Sequence, residues 1–246
     1  MLFARFIAWH RTGTDGWYHG VRKTPHGRKR MDAIIFDMDG TLLDTERVSQ
    51  DAWRRAAADL SLDVPERIWH AFVGMSMAAA HQMIDKEFGD PALTDKLFDR
   101  RNEVFDAICD AELQLKPGAR EALEAAHGAG LRNALATSSE EAHAVACLTR
   151  LGLIDLFDEM VFGDQVAHSK PAPDIYLAAA AKLELDPARC FAVEDSFNGI
   201  RSAHAAGTSV LMVPDFNQPA PEIAQMCTRV LDSLLDLPRT LDELMR

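Results

Sequence analysis

Residues 33 to 45 read Ala-Ile-Ile-Phe-Asp-Met-Asp-Gly-Thr-Leu-Leu-Asp-Thr, and no other segment constrains the fold so tightly. Ala33 to Phe36 is a short, uninterrupted apolar run, which suits a strand buried on both faces of a parallel sheet. The run stops at two carboxylates, Asp37 and Asp39, followed by Gly40. Side chains two apart on a strand point the same way. The acids are therefore expected to converge at the strand's carboxyl end, where open α/β sheets take their ligands. Gly40 lets the backbone turn and come close to a ligand. Two acids this near repel each other, and the repulsion calls for a positive neighbour, most simply a divalent metal. Taken alone, the same residues also read as a strand followed by an Asp-Gly turn.

Three further segments bear on that choice. Arg132 to Ser139 is an apolar strand ending in hydroxyls, with Thr137 first and Ser138 next. Ser169 to Tyr176 holds Lys170 in a loop stiffened by Pro171 and Pro173, after which Asp174 opens a helix. Cys190 to Gly199 is another apolar strand that ends in two acids, Glu194 and Asp195. Singly, each has a plain alternative: Thr137 a helix cap, Lys170 a solvated charge, Glu194-Asp195 a polar loop. Together, in this chain order, they argue for one shared site.

With those four motifs the chain resembles the haloacid dehalogenase superfamily of phosphotransferases over residues 32 to 215, nearest the branch of β-phosphoglucomutase and small sugar phosphatases. The resemblance implies a phosphatase acting through an aspartyl-phosphate. Asp37 would be the nucleophile, and Asp39 the acid that protonates the leaving oxygen and then the base that activates water. Mg²⁺ would be held by Asp37, the backbone carbonyl of Asp39, and Asp195, with Glu194 assisting from behind. Lys170 would neutralise the phosphoryl group and Asp37, while Thr137, the N–H of Ser138 and the loop at Gly40 would bind the phosphate. Dehalogenases of the superfamily lack the acid at the position of Asp39, so dehalogenation is excluded by its presence.

The remaining organisation fits an α/β fold with an insertion. From about residue 117 the pattern alternates helix and strand, with strands at 131–136, 159–162, 189–193 and 208–213, which predicts a Rossmann-like parallel sheet with helices on both faces. Residues 46–113 show helical spacing and almost no strand signal, so they read as a small helical cap inserted into a core made of 31–45 and 114–246. The loop Phe72-Val73-Gly74-Met75-Ser76-Met77 is the candidate for reaching the substrate, through Gly74, Met75 and Ser76. It also reads as an ordinary helix-helix turn. Trp53, Trp69, Met75, Met77, Met83, His70 and His81 are expected to build the interior of the cap, the alternative being that they line a substrate pocket.

Three departures separate the chain from neighbouring activities. The mutases carry a His where Ser49 stands, and a Lys and an Arg in the cap loop where Val73 and Met77 stand. Without those cations a second phosphate has little to hold it, so the expected substrate is a monophosphate of the sugar or nucleoside class. A β-phosphoglucomutase-like phosphotransferase is the alternative, and a silent binder of phosphorylated metabolites a second. The phosphonatases need a Schiff-base lysine in the cap, and neither Lys86 nor Lys96 has a fitting context.

A net charge of −12 argues against a nucleic-acid partner, and no apolar run is long enough to span a membrane. The four cysteines have no paired spacing and read as thiols in a reducing cytoplasm, in a protein expected to be monomeric. The first 30 residues stand apart: seven Lys or Arg face Asp15 alone. Met31 directly precedes the first strand, so residues 1–30 are read as a mis-assigned start or a disordered extension.

Overall fold

The computed structural model describes residues 30–72, 75, 77–215 and 218–246; the extension read at residues 1–30 lies outside them except for Arg30. Six parallel strands form one sheet. They are β1 (Ala33–Phe36), β2 (Arg132–Ala136), β3 (Glu159–Val161), β4 (Cys190–Glu194), β5 (Ser209–Met212) and β6 (Arg229–Val230), in the order β3-β2-β1-β4-β5-β6. The strands are apolar throughout because both faces are covered. Along β1, Ile34 and Phe36 join one hydrophobic layer and Ala33 and Ile35 the other, as the two-residue period requires. Each of the three large side chains of β1 is fully buried, contributing about 1.5–3 kcal/mol apiece relative to exposure.

Among the described residues ten α-helices accompany the sheet. α1 (Thr45–Asp59), α2 (Glu66–Phe72), α3 (Met77–Phe88) and α4 (Pro91–Glu112) follow β1 directly. α5 (Ala119–Gly128), α6 (Glu141–Arg150) and α10 (Leu237–Met245) cover the face of Ile34 and Phe36, and α7 (Asp174–Lys182), α8 (Phe197–Ala206) and the short α9 (Pro221–Ala224) cover the other. β6 was not expected from the sequence, which reads as loops and a final helix after Pro214. Two residues at a sheet edge, both exposed, carry no periodic signal.

The winding explains where a ligand can sit. From β1 the chain moves outward to β2 and β3, then crosses to the far side of β1 and continues through β4, β5 and β6. The direction reverses at β1, and the crevice outside the carboxyl ends of β1, β2 and β4 is the position at which such sheets take ligands.

The helical insert α1–α4 has its own interior, with Trp53, Ile68, Ile84 and Leu97 buried together. The Trp53 ring meets Phe98 and Phe72, each at a centroid separation of 4.8 Å. Met83 packs onto this cluster, but Met77 is exposed, against the expectation that it is interior. α4 begins where Gly89-Asp90-Pro91 breaks the chain: the Asp90 carboxylate accepts the N–H groups of Ala92 and Leu93, and Pro91 occupies the first turn. The two strands of chain joining insert and sheet run side by side, with the Asp44 N–H donated to the Gln114 carbonyl and the Lys116 N–H to that of Leu42.

Candidate active site

β1 ends one residue before Asp37, so Asp37 and Asp39 lie beyond the strand rather than alternating along it. Both stand at the strand's carboxyl end, as the sequence reading expects, but they take different partners. The Asp37 N–H continues the sheet by donating to the Val193 carbonyl, which aims its carboxylate into the crevice. Gly40 then turns the chain at φ +79°, and its N–H is held by the Leu43 carbonyl and Thr45 Oγ1. This turn carries the Asp39 side chain toward the end of β2. There Asp39 Oδ2 accepts from Ser139 Oγ at 2.7 Å and from Thr137 Oγ1 at 3.3 Å. Thr137 is fully buried and its Oγ1 accepts the Ser139 N–H, while Ser138 beside it is exposed.

Lys170 is the positive neighbour of Asp37. Its ammonium donates to Asp37 Oδ1 at 2.5 Å, to Glu194 Oε1 at 2.6 Å and to the Ala136 carbonyl at 3.0 Å. All three protons are therefore directed, at a side chain that is 7% exposed. Glu194 is held from every side. Besides Lys170, its Oε1 accepts from Tyr176 Oη at 2.8 Å, and its Oε2 accepts the Ser196 N–H and Oγ–H. Even Gly199 takes part by absence, since a Cβ there would lie 1.8 Å from Glu194 Oε1. Asp195 Oδ1 accepts from Thr41 Oγ1 at 2.8 Å, and its Oδ2 rests where a side chain on Gly40 would stand.

The charge balance of this cluster is uneven. Oxygens of Asp37, Glu194 and Asp195 lie within 4.8 Å of one another, around a single ammonium. Burial, with Glu194 and Asp39 adding to it against Lys170, pushes the Asp37 carboxyl up to about 7. Burial, with Asp37 and Glu194 adding to it, holds Asp195 well above the ordinary carboxylate range. Burial opposes the charge on Lys170, but Asp37 and Glu194 outweigh it and hold that ammonium above its usual value. Such a site lacks positive charge. Three hard oxygen donors fit a divalent cation, and both oxygens of Glu194 are already engaged, which leaves the free oxygens of Asp37 and Asp195 to face it.

The sequence reading put Asp37, Asp39, Thr137, Lys170, Glu194 and Asp195 in one shared site; the structure groups Asp37, Lys170, Glu194 and Asp195 in one cluster and Asp39 with Thr137 beside it. The sequence reading did not single out Thr41, Tyr176, Ser139 or Ser196, whose signal is only a hydroxyl close in sequence to a motif acid or hydroxyl. Of the three residues of the substrate loop, Met75 is half-buried with its N–H bonded to the Phe72 carbonyl; Gly74 and Ser76 lie outside the described residues.

Known proteins match both the sequence and the fold. The profile of haloacid dehalogenase-like hydrolases covers residues 31–207. The chain is 35% identical over 177 residues to a phosphorylated carbohydrates phosphatase of Thermotoga maritima, covering 72% of this chain and 82% of that one. It is 34% identical to a fructose-1-phosphate phosphatase of Escherichia coli K12, over 75% of this chain and 97% of the other. Among solved structures, CbbY from Rhodobacter sphaeroides in complex with phosphate superposes with a TM-score of 0.67 at 32% identity, over 84% of this chain and 96% of that one. The chain belongs to the haloacid dehalogenase-like hydrolases.

Proposed function

We propose that this hydrolase removes the phosphoryl group from a small phosphorylated metabolite of the sugar or nucleoside monophosphate class, with Mg²⁺ and through an aspartyl-phosphate on Asp37. The observation that carries the reading is the buried Asp37 carboxylate, pinned through one oxygen by Lys170 with its other oxygen free. A nucleophile held in this way meets phosphorus without first losing rotational freedom. Attack transfers the phosphoryl group to Asp37 and releases an alkoxide. Asp39, lying under Ser139 and Thr137 rather than in the metal-facing cluster, gives that alkoxide a proton and then takes one from the water that cleaves the acyl-phosphate.

Lys170 places its charge beside the equatorial oxygens of the transferring group, and Thr137 with the Ser138 N–H offers them hydrogen bonds. Asp37, Asp195 and the Asp39 carbonyl would hold Mg²⁺, with Glu194 anchoring Lys170 rather than touching the ion. Bound there, the ion supplies the positive charge that three acids around one ammonium lack. The insert α1–α4 serves as a cap that shields the acyl-phosphate and recognises the organic part of the substrate. The phosphatases among its relatives act on phosphorylated carbohydrates and fructose 1-phosphate, which supports the substrate class. The mutase alternative is weakened because the Ser49 hydroxyl is taken by Arg101 at 2.9 Å.

Among the described residues no helix is long and apolar enough to cross a membrane. The four cysteines are free and three are buried, in keeping with a reducing compartment. The test is phosphate release from a panel of phosphorylated metabolites, with and without Mg²⁺, for the wild type and Asp37→Asn. Metal-dependent release that vanishes in the variant supports the reading. No release across the panel refutes it.

A further inference from the structure

A second group of metal-ligating side chains lies where the helical insert meets the sheet domain. There α4 and α6 wall a cavity of about 520 Å³, whose polar lining is Asp106, Cys109, Asp110, His143, Cys147 and Arg150. The two helices meet beside it: the Phe105 and His143 ring centres are 6.3 Å apart, and Arg150 Nη1 lies 3.5 Å from Asp110 Oδ1. The thiols here differ from the other two of the protein. Cys190 and Cys227 each donate to a backbone carbonyl one turn back, that of Asp186 and of Ile223. Cys109 and Cys147 are only 2% and 5% exposed, yet neither reaches a carbonyl. Among the described residues Cys109 has no hydrogen-bond partner, and Cys147 meets only His143. Two buried thiols are thus left unused on the wall of one cavity.

The geometry on α6 matches one kind of ligand. His143 and Cys147 stand one turn apart, so their side chains share a face of the helix, with Cys147 Sγ 3.7 Å from His143 Nε2. Zinc holds sulfur at about 2.3 Å and nitrogen at about 2.0–2.1 Å in a tetrahedron, which sets two such ligand atoms about 3.6 Å apart. The pair is therefore already spaced for one ion. Cys109 offers a third donor from α4, across the cavity. Asp106, one turn before Cys109 and exposed at the rim, has no hydrogen bond or ion pair among the described residues and can fill a fourth position. The sulfur and nitrogen atoms do not all lie within 4.8 Å of one another. A hop of the Cys109 side chain between staggered rotamers is the adjustment that closes the set.

The donor types select the ion. Thiolate and imidazole suit zinc and its transition-metal neighbours, whereas Mg²⁺ prefers oxygens such as those of Asp37 and Asp195. Burial, with Cys147 adding to it, pushes the Cys109 thiol up to about 12, and burial also raises the Cys147 thiol. Neither is a thiolate without a cation beside it, so the pair is slow to oxidise. A divalent ion drives one proton from each thiol to solvent, and with two thiolates it forms a neutral centre, so the Asp110–Arg150 pair beside it stays balanced. We propose that Cys109, Cys147 and His143 form a zinc-class metal site that ties α4 of the insert to α6 of the sheet domain, apart from the acid cluster at Asp37. Such a site stands whether or not the acid cluster hydrolyses phosphate esters.

The test uses the full chain, kept reduced and in excess Mg²⁺, and titrates it with Co²⁺. Cobalt takes the place of zinc and reports sulfur ligands by a thiolate-to-metal charge-transfer band, which the oxygens of the acid cluster cannot produce. The wild type should develop this band with one ion per chain, and added Zn²⁺ should abolish it. Cys109→Ser and Cys147→Ser should each lose most of the band. His143→Gln should weaken Co²⁺ binding about tenfold or more, since even an outer partner of a metal ligand is worth that much. Cys227→Ser, whose thiol lies outside the cavity, should leave the band unchanged. No band in the wild type, a band of wild-type strength in either Cys109→Ser or Cys147→Ser, or unaltered Co²⁺ affinity in His143→Gln would overturn the proposal. Should the cysteine variants fail to fold, X-ray absorption by the zinc-loaded wild type decides: two sulfurs at about 2.3 Å support the site, and fewer than two refute it.

Discussion

Tyr176→Phe removes a single oxygen from the most tightly engaged part of the site. The Tyr176 hydroxyl is fully buried and donates to Glu194 Oε1 at 2.8 Å, on the same oxygen that receives Lys170. The ring itself lies 5.2 Å from the Lys170 ammonium, and phenylalanine retains that contact. What is lost is a hydrogen bond to a buried charge, which contributes about 1.5–3 kcal/mol. No water replaces it easily, because Glu194 is completely enclosed. For a chain of this length each kcal/mol corresponds to roughly 2–4 °C in melting temperature, so a drop of about 6 °C is expected. Lys170 should also lose some of its fixed direction, and kcat should fall by about fivefold to tenfold, since that is what 1–1.4 kcal/mol of transition-state stabilisation amounts to. Calorimetry and steady-state kinetics on the same preparation read both effects. A melting temperature within 1 °C or so of the wild type would show that the buried bond does not carry the energy assigned to it.

Other outcomes follow from the same geometry. Ser139→Ala deletes the shorter of the two hydrogen bonds to Asp39; kcat should fall about tenfold with KM little changed, and an unaltered kcat would mean that Asp39 needs no such support. Gly199→Ala places a methyl carbon inside the Glu194 carboxylate, so Mg²⁺-dependent turnover should be lost, whereas near-normal turnover would contradict the packing around Glu194. The pH dependence has a definite sign. Asp37 is raised from 3.8 to about 7 in the fold, so its protonated form is favoured by folding. That contribution is intact below about pH 4 and is lost as pH climbs toward 7. The metal-free protein should therefore become less stable across this interval, and added Mg²⁺ should raise the melting temperature more at pH 8 than at pH 5. Equal increments at the two pH values would count against an uncompensated acid cluster.

The legible and illegible parts of this protein divide along one physical line. The strands were readable because a parallel sheet covered on both faces demands continuous apolar runs, and Ala33–Phe36 and Cys190–Glu194 supply them. The site was readable because polar residues collect where those runs stop. Hydrogen bonds between distant parts of the chain were not readable. Thr41 reaches Asp195 across 154 residues, and its nearness to Asp39 in sequence does not announce that partner. Tyr176 shows only the spacing of an interior helix residue, and its hydroxyl acquires meaning from β4. Asp37 and Asp39 both stand at the carboxyl end of β1, but their separate partners were not readable: strand alternation holds only while the chain is a strand, and the turn at Gly40 brings Asp39 to the end of β2. Arg101 carried no signal at all, since an arginine in a charged helix reads as solvated until its neighbours are known to be Trp53 and Phe105.

The central claim is that Asp37 receives the phosphoryl group. The most direct measurement is rapid acid quenching during turnover of a radiolabelled sugar monophosphate, followed by mapping of any label retained on the protein. The account predicts a label on Asp37 that hydroxylamine releases, absent in Asp37→Asn. Turnover without a protein-bound label, or a label that persists in Asp37→Asn, would contradict it.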